Sequence, residues 1–189
     1  MEALQLGGER FATMGEPSAP ITMVEFSDHG CPYCGRYHES VFPTIKEQYI
    51  DTGKVYYVYK DYPVVSFQGG LAAQASECAG EQGRYWEMHD RLFDNPPQWN
   101  DSEEAAITAF RSYAEAIDAD ADALAQCVSE GRYEGDVQGD YEEGAALRLR
   151  GTPAFFIDGA LLSGAQPLEV FVQAIDERLA AAEGTPEAQ

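Results

Sequence analysis

Long hydrophobic runs are missing from this chain: no stretch approaches the ~20 apolar residues that a membrane-spanning helix needs, so it is not expected to cross a bilayer. Positive charge is scarce as well. Lysine and arginine number 12 against 33 aspartates and glutamates, for a formal net charge of −21, and only Lys46, Lys54 and Lys60 are lysines. Phosphate backbones and anionic lipid surfaces repel such a chain, which argues against nucleic-acid binding. The acids are spread along the sequence and not gathered into a tail, so they read as a solvated coat of the kind that counter-ions screen in salt-rich surroundings. The segment after Met1 has neither the basic stretch nor the apolar stretch of a secretory signal. A cytoplasmic protein and a mature extracytoplasmic one, periplasmic or secreted, both fit. Histidine occurs three times and cysteine four times, so few side chains are available for nucleophilic, metal or redox chemistry.

What is present is enough for one buried core, or for one domain carrying an insertion, in 189 residues. Residues 21–27 (Ile21-Thr22-Met23-Val24-Glu25-Phe26-Ser27) read as a buried strand in which Glu25 is the exception. From Pro32 to Tyr49, apolar or aromatic residues recur every fourth position (Tyr33, Tyr37, Val41, Ile45, Tyr49), which predicts a helix that Pro43 kinks or interrupts. Lys54–Tyr59 is a second strand, and strand–helix–strand predicts a parallel βαβ unit. Between residues 67 and 150 the texture is Ala, Glu, Gln and Leu without a strand signal, so this stretch reads as all-helical, with pieces over 69–80, 83–94, 103–117, 120–130 and 134–149. Asn95-Pro96-Pro97 is expected to force a loop. After Gly151-Thr152-Pro153, residues 154–157 and 160–162 flank Asp158-Gly159 as a hairpin, and a last helix covers 167–182 before a fraying tail. The lead-in over residues 1–20 is irregular.

The chemistry concentrates at Cys31-Pro32-Tyr33-Cys34, two thiols three residues apart at a strand-to-helix junction. There the first thiol meets unpaired N–H groups and the positive end of the helix dipole, both of which favour a thiolate. Cys31 is expected to attack or be attacked, and Cys34, one turn inside and more shielded, to resolve the mixed disulfide. His29, Cys31, Cys34 and His38 also spell H-x-C-x₂-C-x₃-H, a possible zinc set. His29 is alternatively a protonated partner of the thiolate. The aromatic-rich segment Arg84–His89 reads mainly as helix-packing surface.

With Cys31-Pro32-Tyr33-Cys34 after the first strand and Gly151-Thr152-Pro153 before the late hairpin, the chain resembles the thioredoxin superfamily. Its long helical insertion makes it similar to the DsbA-like thiol:disulfide oxidoreductases. The resemblance implies an α/β thioredoxin-like fold, built from residues 1–66 and 151–189, with an inserted helical domain over 67–150. It further implies that Pro153 is cis and faces the two thiols, and that Thr152 and Pro153 offer backbone to an extended substrate segment. Glu25, within Val24-Glu25-Phe26-Ser27-Asp28, is implied to lie buried beneath the active-site sulfurs and to take the proton of Cys34 as that thiol attacks. A solvated position at the strand end is the alternative reading. Cys78 and Cys127 are implied to form a second, structural pair; two buried free thiols are the alternative.

The expected activity is therefore the introduction of disulfides into exported proteins that are still folding, followed by reoxidation through a membrane quinone-linked partner. No cofactor beyond the Cys31–Cys34 pair and no bound metal are expected. The Pro-Tyr dipeptide and Thr152 leave the direction of electron flow open, so a reductase or isomerase of the same fold is the alternative. From another class, a zinc-binding or peptide-holding module is also compatible with the residues.

Overall fold

The computed structural model describes residues 11–94 and 96–183. The expectations for residues 1–10, for Asn95 and for the tail from 184 onward lie outside them. Among the described residues five strands form one sheet in the order β1-β3-β2-β4-β5. They are β1 (Thr13–Met14), β2 (Ile21–Ser27), β3 (Val55–Asp61), β4 (Ala154–Ile157) and β5 (Ala160–Ser163). β2 is central, parallel to β3 and antiparallel to β4, and this placement explains its nearly unbroken apolar sequence, since both of its faces are covered. β1 was not anticipated. Two residues carry no periodicity, and only pairing with β3 (Thr13 opposite Val58) makes them a strand.

The two faces of the sheet serve different layers. Ile21 and Met23 of β2, with Tyr57 and Tyr59 of β3 and Phe155 of β4, enter a core with Tyr37, Phe171 and Ile175. Those last three come from α1 (Pro32–Ser40) and α9 (Leu168–Glu183). Val24, Phe26, Val58 and Phe156 point the other way, to a smaller cluster that Tyr62, Leu147 and Leu149 help to close. Because side chains alternate along a strand, Glu25 shares the face of Ile21 and Met23 and is aimed beneath α1.

Pro43 interrupts its helix as expected. α1 stops at Ser40, α2 (Phe42–Ile45) restarts with Pro43 in its first turn, where no N–H is needed, and a single π turn (Lys46–Ile50) completes the crossover. The insertion lies between β3 and β4 and comprises α3 (Gly69–Gly80), α4 (Tyr85–Asp94), α5 (Pro96–Trp99), α6 (Glu103–Ala116), α7 (Ala121–Ser129) and α8 (Glu134–Ala146). The loop expected at Pro96-Pro97 is corrected to the short helix α5: prolines are tolerated in a first turn, and the buried Trp99 anchors it, its indole N–H donating to the Leu92 carbonyl at 3.0 Å. The insertion has its own apolar core, which includes Cys78, Met88, Leu92, Trp99, Phe110 and Cys127. Cys78 of α3 and Cys127 of α7 are bridged there, with Cα atoms 6.0 Å apart. At Asp158-Gly159 both residues have positive φ (47° and 81°), the backbone that a tight two-residue hairpin demands.

A buried polar contact ties insertion to sheet. Lys60 of β3 donates to Asp140 at 3.1 Å and to Glu143 at 2.6 Å, both on α8, and the Asp61 N–H donates to the other Asp140 oxygen at 3.2 Å. One turn along α8, a methyl group on Gly144 would lie 2.7 Å from the Tyr62 ring, so the helix reaches the sheet this closely because glycine stands there.

Candidate active site

Asp28, at the end of β2, builds the loop that presents the thiols. Its carboxylate accepts from the N–H groups of Gly30 (3.0 Å), Val65 (2.7 Å) and Ser66 (2.9 Å), and from the Ser66 hydroxyl. These bonds clamp residues 28–30 to the connection that follows β3, and a Cβ on Gly30 would collide with Ser66. The Cys31 N–H donates to the Asp28 carbonyl at 2.9 Å. Cys31 then caps α1 in extended backbone (φ −77°, ψ 122°) with Pro32 as the first helical residue. Asp28 was not among the expected site residues; its signal was an acid directly between a buried strand and Gly30, the composition of a side-chain-capped turn.

Cys31 and Cys34 are free thiols in this structure. Cys34 is the more shielded of the two, as expected, although the margin in exposure is narrow: Cys31 is 3% exposed and Cys34 0%. Burial and hydrogen bonding together separate their acidities. Cys31 is pulled down to about 6 by the Cys34 thiol, which donates to it, and further by Thr152 and the N–H groups of Cys34 and Tyr33, against an opposing effect of burial. Cys34 is pushed far up by burial, then by its hydrogen bond to Cys31 and the neighbouring charges of Cys31 and Glu25. One sulfur is a thiolate at neutral pH and the other holds its proton.

Glu25 is 2% exposed, which removes the solvated strand-end alternative. Burial raises its carboxyl to about 7, only partly offset by hydrogen bonds from Tyr57 and Ser27. The Tyr57 hydroxyl donates to Glu25 Oε2. Sequence reasoning missed Tyr57. The available signal was the spacing of Tyr57 and Tyr59, which puts both rings on the face shared with Glu25.

The Thr152–Pro153 peptide is cis, as the resemblance implied. Cys31 Sγ lies 3.4 Å from the Thr152 carbonyl oxygen, to which it donates while protonated, so the loop before β4 does face the thiols. The buried Thr152 hydroxyl is free of any competing partner among the described residues and is placed to donate to a Cys31 thiolate, which lowers the Cys31 pKa. Tyr33, between the cysteines, is 57% exposed and lies under the Arg36 guanidinium at 5.2 Å, on the surface beside the thiols.

His29 departs from expectation. Its ring is buried among Tyr59 (5.4 Å between centroids), His89 (5.3 Å) and Phe93 (4.9 Å). Burial first, then the neighbouring His89 and His38, holds its pKa well below 6.5, so it is neutral and not a charged partner for the thiolate. The H-x-C-x₂-C-x₃-H set does not converge either: His38 lies against His89 and Asp90, away from the cysteines. The aromatic segment of α4 packs as expected, with Trp86 and His89 against Tyr59 at 6.4 and 4.8 Å between centroids.

A family model described as thioredoxin (Thioredoxin_4) matches residues 8–177. The alpha-DsbA1 of Wolbachia pipientis superposes with a TM-score of 0.81 at 29% identity, covering 91% of this chain and 92% of that one. The probable disulfide bond formation protein D of Bacillus cereus is 27% identical over 92% of this chain and 83% of its own length. The Na(+)/H(+) antiporter NhaA 3 of Salinispora tropica is 32% identical over 95% of this chain, which spans 26% of the antiporter's length.

Proposed function

The chain belongs to the thioredoxin family, in its DsbA-like group with a helical insertion, and from that membership we propose that it oxidises dithiols of exported, folding proteins through Cys31 and Cys34. The observation that carries this reading is the split between the two sulfurs, a thiolate at Cys31 and a protonated thiol at Cys34. A stabilised thiolate favours the reduced form of the pair, and a pair whose reduced form is favoured takes electrons from its substrate.

In the oxidising direction a substrate thiolate attacks Cys31 Sγ of the Cys31–Cys34 disulfide, forming a mixed disulfide as the Cys31–Cys34 bond breaks. Cys34 leaves and takes up a proton, for which Glu25, titrating near 7, is the nearby donor. A second substrate thiolate then attacks the substrate sulfur and expels Cys31 as its stable thiolate. The substrate has lost two electrons and the enzyme's pair has gained them. In reverse, Glu25 takes the Cys34 proton. Thr152 and Pro153 provide the wall against which an extended substrate segment lies, since the Thr152 carbonyl already contacts Cys31. A membrane partner that passes electrons to quinone is the proposed reoxidant, and the proposed location is extracytoplasmic.

No helix among the described residues is long and apolar enough to cross a membrane, and the antiporter likeness covers a quarter of that protein, so ion transport is not carried over. The test mixes the oxidised protein with a reduced, unfolded, multi-cysteine substrate and follows thiol loss. Stoichiometric transfer of the disulfide is expected. Absence of transfer overturns the reading, and reduction of an insulin-like disulfide without net oxidation makes the protein a reductase.

A further inference from the structure

His38 stands one helical turn beyond Cys34 on α1, and His89 and Asp90 stand side by side on α4 of the insertion. Each offers one ligand atom, and the three atoms lie within 4.8 Å of one another. His89 Nδ1 is 3.1 Å and His38 Nε2 3.7 Å from the same carboxylate oxygen, Asp90 Oδ1. The shorter distance is an ordinary hydrogen bond, but the longer one exceeds hydrogen-bond range, so direct bonding to Asp90 does not account for the position of His38. Both distances bracket the ~3.3 Å edge of a tetrahedron whose centre is ~2.0–2.1 Å from nitrogen and oxygen ligands.

The surroundings fit as well. Behind the cluster, His89 is 3% exposed and packed against Tyr59 and Phe93, so one ligand is held rigidly. The His38 ring stacks on Phe93 with planes 17° apart and centroids 4.9 Å apart, which fixes the second. Asp90 is 57% exposed and lines an open depression whose charged groups are Glu87, Asp94 and Asp118 with Arg84 and Arg91, so the carboxylate ligand is reached from solvent. Two imidazoles and one carboxylate suit zinc and its first-row neighbours far better than calcium or magnesium.

We infer that His38, His89 and Asp90 form a binding site for a first-row divalent ion such as Zn²⁺, separate from the thiols and open at a fourth position, that pins the active-site helix α1 to helix α4 of the insertion. The ion binds only while the two helices are docked. It therefore stabilises the folded state by mass action and links the two parts of the molecule.

The experiment uses full-length protein with Cys31 and Cys34 in their disulfide, which keeps those sulfurs from acting as ligands, in 0.5 M salt to suppress diffuse binding to the acidic coat. Titration with Co²⁺ is expected to give one equivalent bound and the intense visible absorption of a tetrahedral site, displaced by Zn²⁺; Zn²⁺ is expected to raise the Tm. His38→Ala and Asp90→Asn are each expected to weaken binding at least tenfold and to abolish the Tm shift. Glu87→Gln, beside the site but not in it, is expected to bind as wild type. Absence of Co²⁺ uptake by the wild-type disulfide form overturns the inference, as does unchanged affinity in Asp90→Asn, whose exposed position makes the fold insensitive to the change. Equal weakening in Glu87→Gln also overturns it, because binding would then belong to the acidic surface. Disulfide transfer to a substrate is unaffected by any of these outcomes, so the two proposals fail separately.

Discussion

Glu25 keeps its proton up to about pH 7 because the sheet and α1 cover it, with Tyr57 bonded to one carboxylate oxygen. In the unfolded chain the same group loses its proton near 4.5. The folded state therefore binds this proton more tightly, and the resulting stabilisation is complete below pH ~4.5 and is lost as pH rises through ~7, about 3 kcal/mol in all. Wild-type Tm is expected to fall more steeply between pH 5 and pH 8 than that of Glu25→Gln, which stays neutral; parallel profiles in thermal melts would contradict the assignment. Cys31 behaves in the opposite sense, with an acidity increased to about 6, so iodoacetamide should alkylate the reduced protein with a midpoint near that pH. Thr152→Val deletes a hydroxyl that is available to the thiolate, and the alkylation midpoint is expected to move upward. An unmoved midpoint would assign the effect to Cys34 and the backbone alone. The identities and spacing of Cys31, Cys34 and Pro153 were legible in the sequence because local motifs announce them. The neutral state of His29 was not, because it depends on Tyr59, His89 and Phe93, which lie 30 to 64 positions away.

At the scale of elements, helices and strands with strong periodicity came out close to expectation: β2 over residues 21–27, α3 over 69–80 and the hairpin around Asp158-Gly159. The differences occur where tertiary contact overrides local signal. β1 exists through its pairing with β3, and α5 exists because Trp99 needs burial, although two prolines open it. The Lys60–Asp140–Glu143 contact joins elements 80 positions apart, and no pattern in either segment points to the other. Lys60 is 3% exposed, so Lys60→Met removes a buried cation that pairs with Asp140 and Glu143 of α8. Breaking a buried pair in this way costs ~3–5 kcal/mol. Urea unfolding should show that loss with the Cys31 alkylation midpoint unchanged. A loss below ~1 kcal/mol would mean that the pair is effectively solvated.

Across the whole molecule the charge of −21 sets a self-repulsion that the folded state must tolerate. Salt screens charges over a Debye length of about 10 Å at 0.1 M and about 3 Å at 1 M, so Tm is expected to rise from low to molar NaCl; a flat profile would count against an acidic coat under strain. The Cys78–Cys127 bridge acts on the same scale: it closes 49 residues of the insertion, and cross-links of that reach stabilise by ~2–5 kcal/mol when unstrained. By itself the sequence determined the βαβ start, the helical insertion and the dithiol at a helix N-terminus, because these depend on periodicity and on motifs a few residues long; that Pro153 faces the thiols followed only from the family resemblance. Only the tertiary structure decided that the Cys34 thiol donates to Cys31, that Glu25 is protonated near neutrality, and that His38 lies against His89 and Asp90 of α4. Each of these depends on desolvation or on partners placed by the fold, and the free energy of a charge is set by what surrounds it in space, not by its neighbours along the chain.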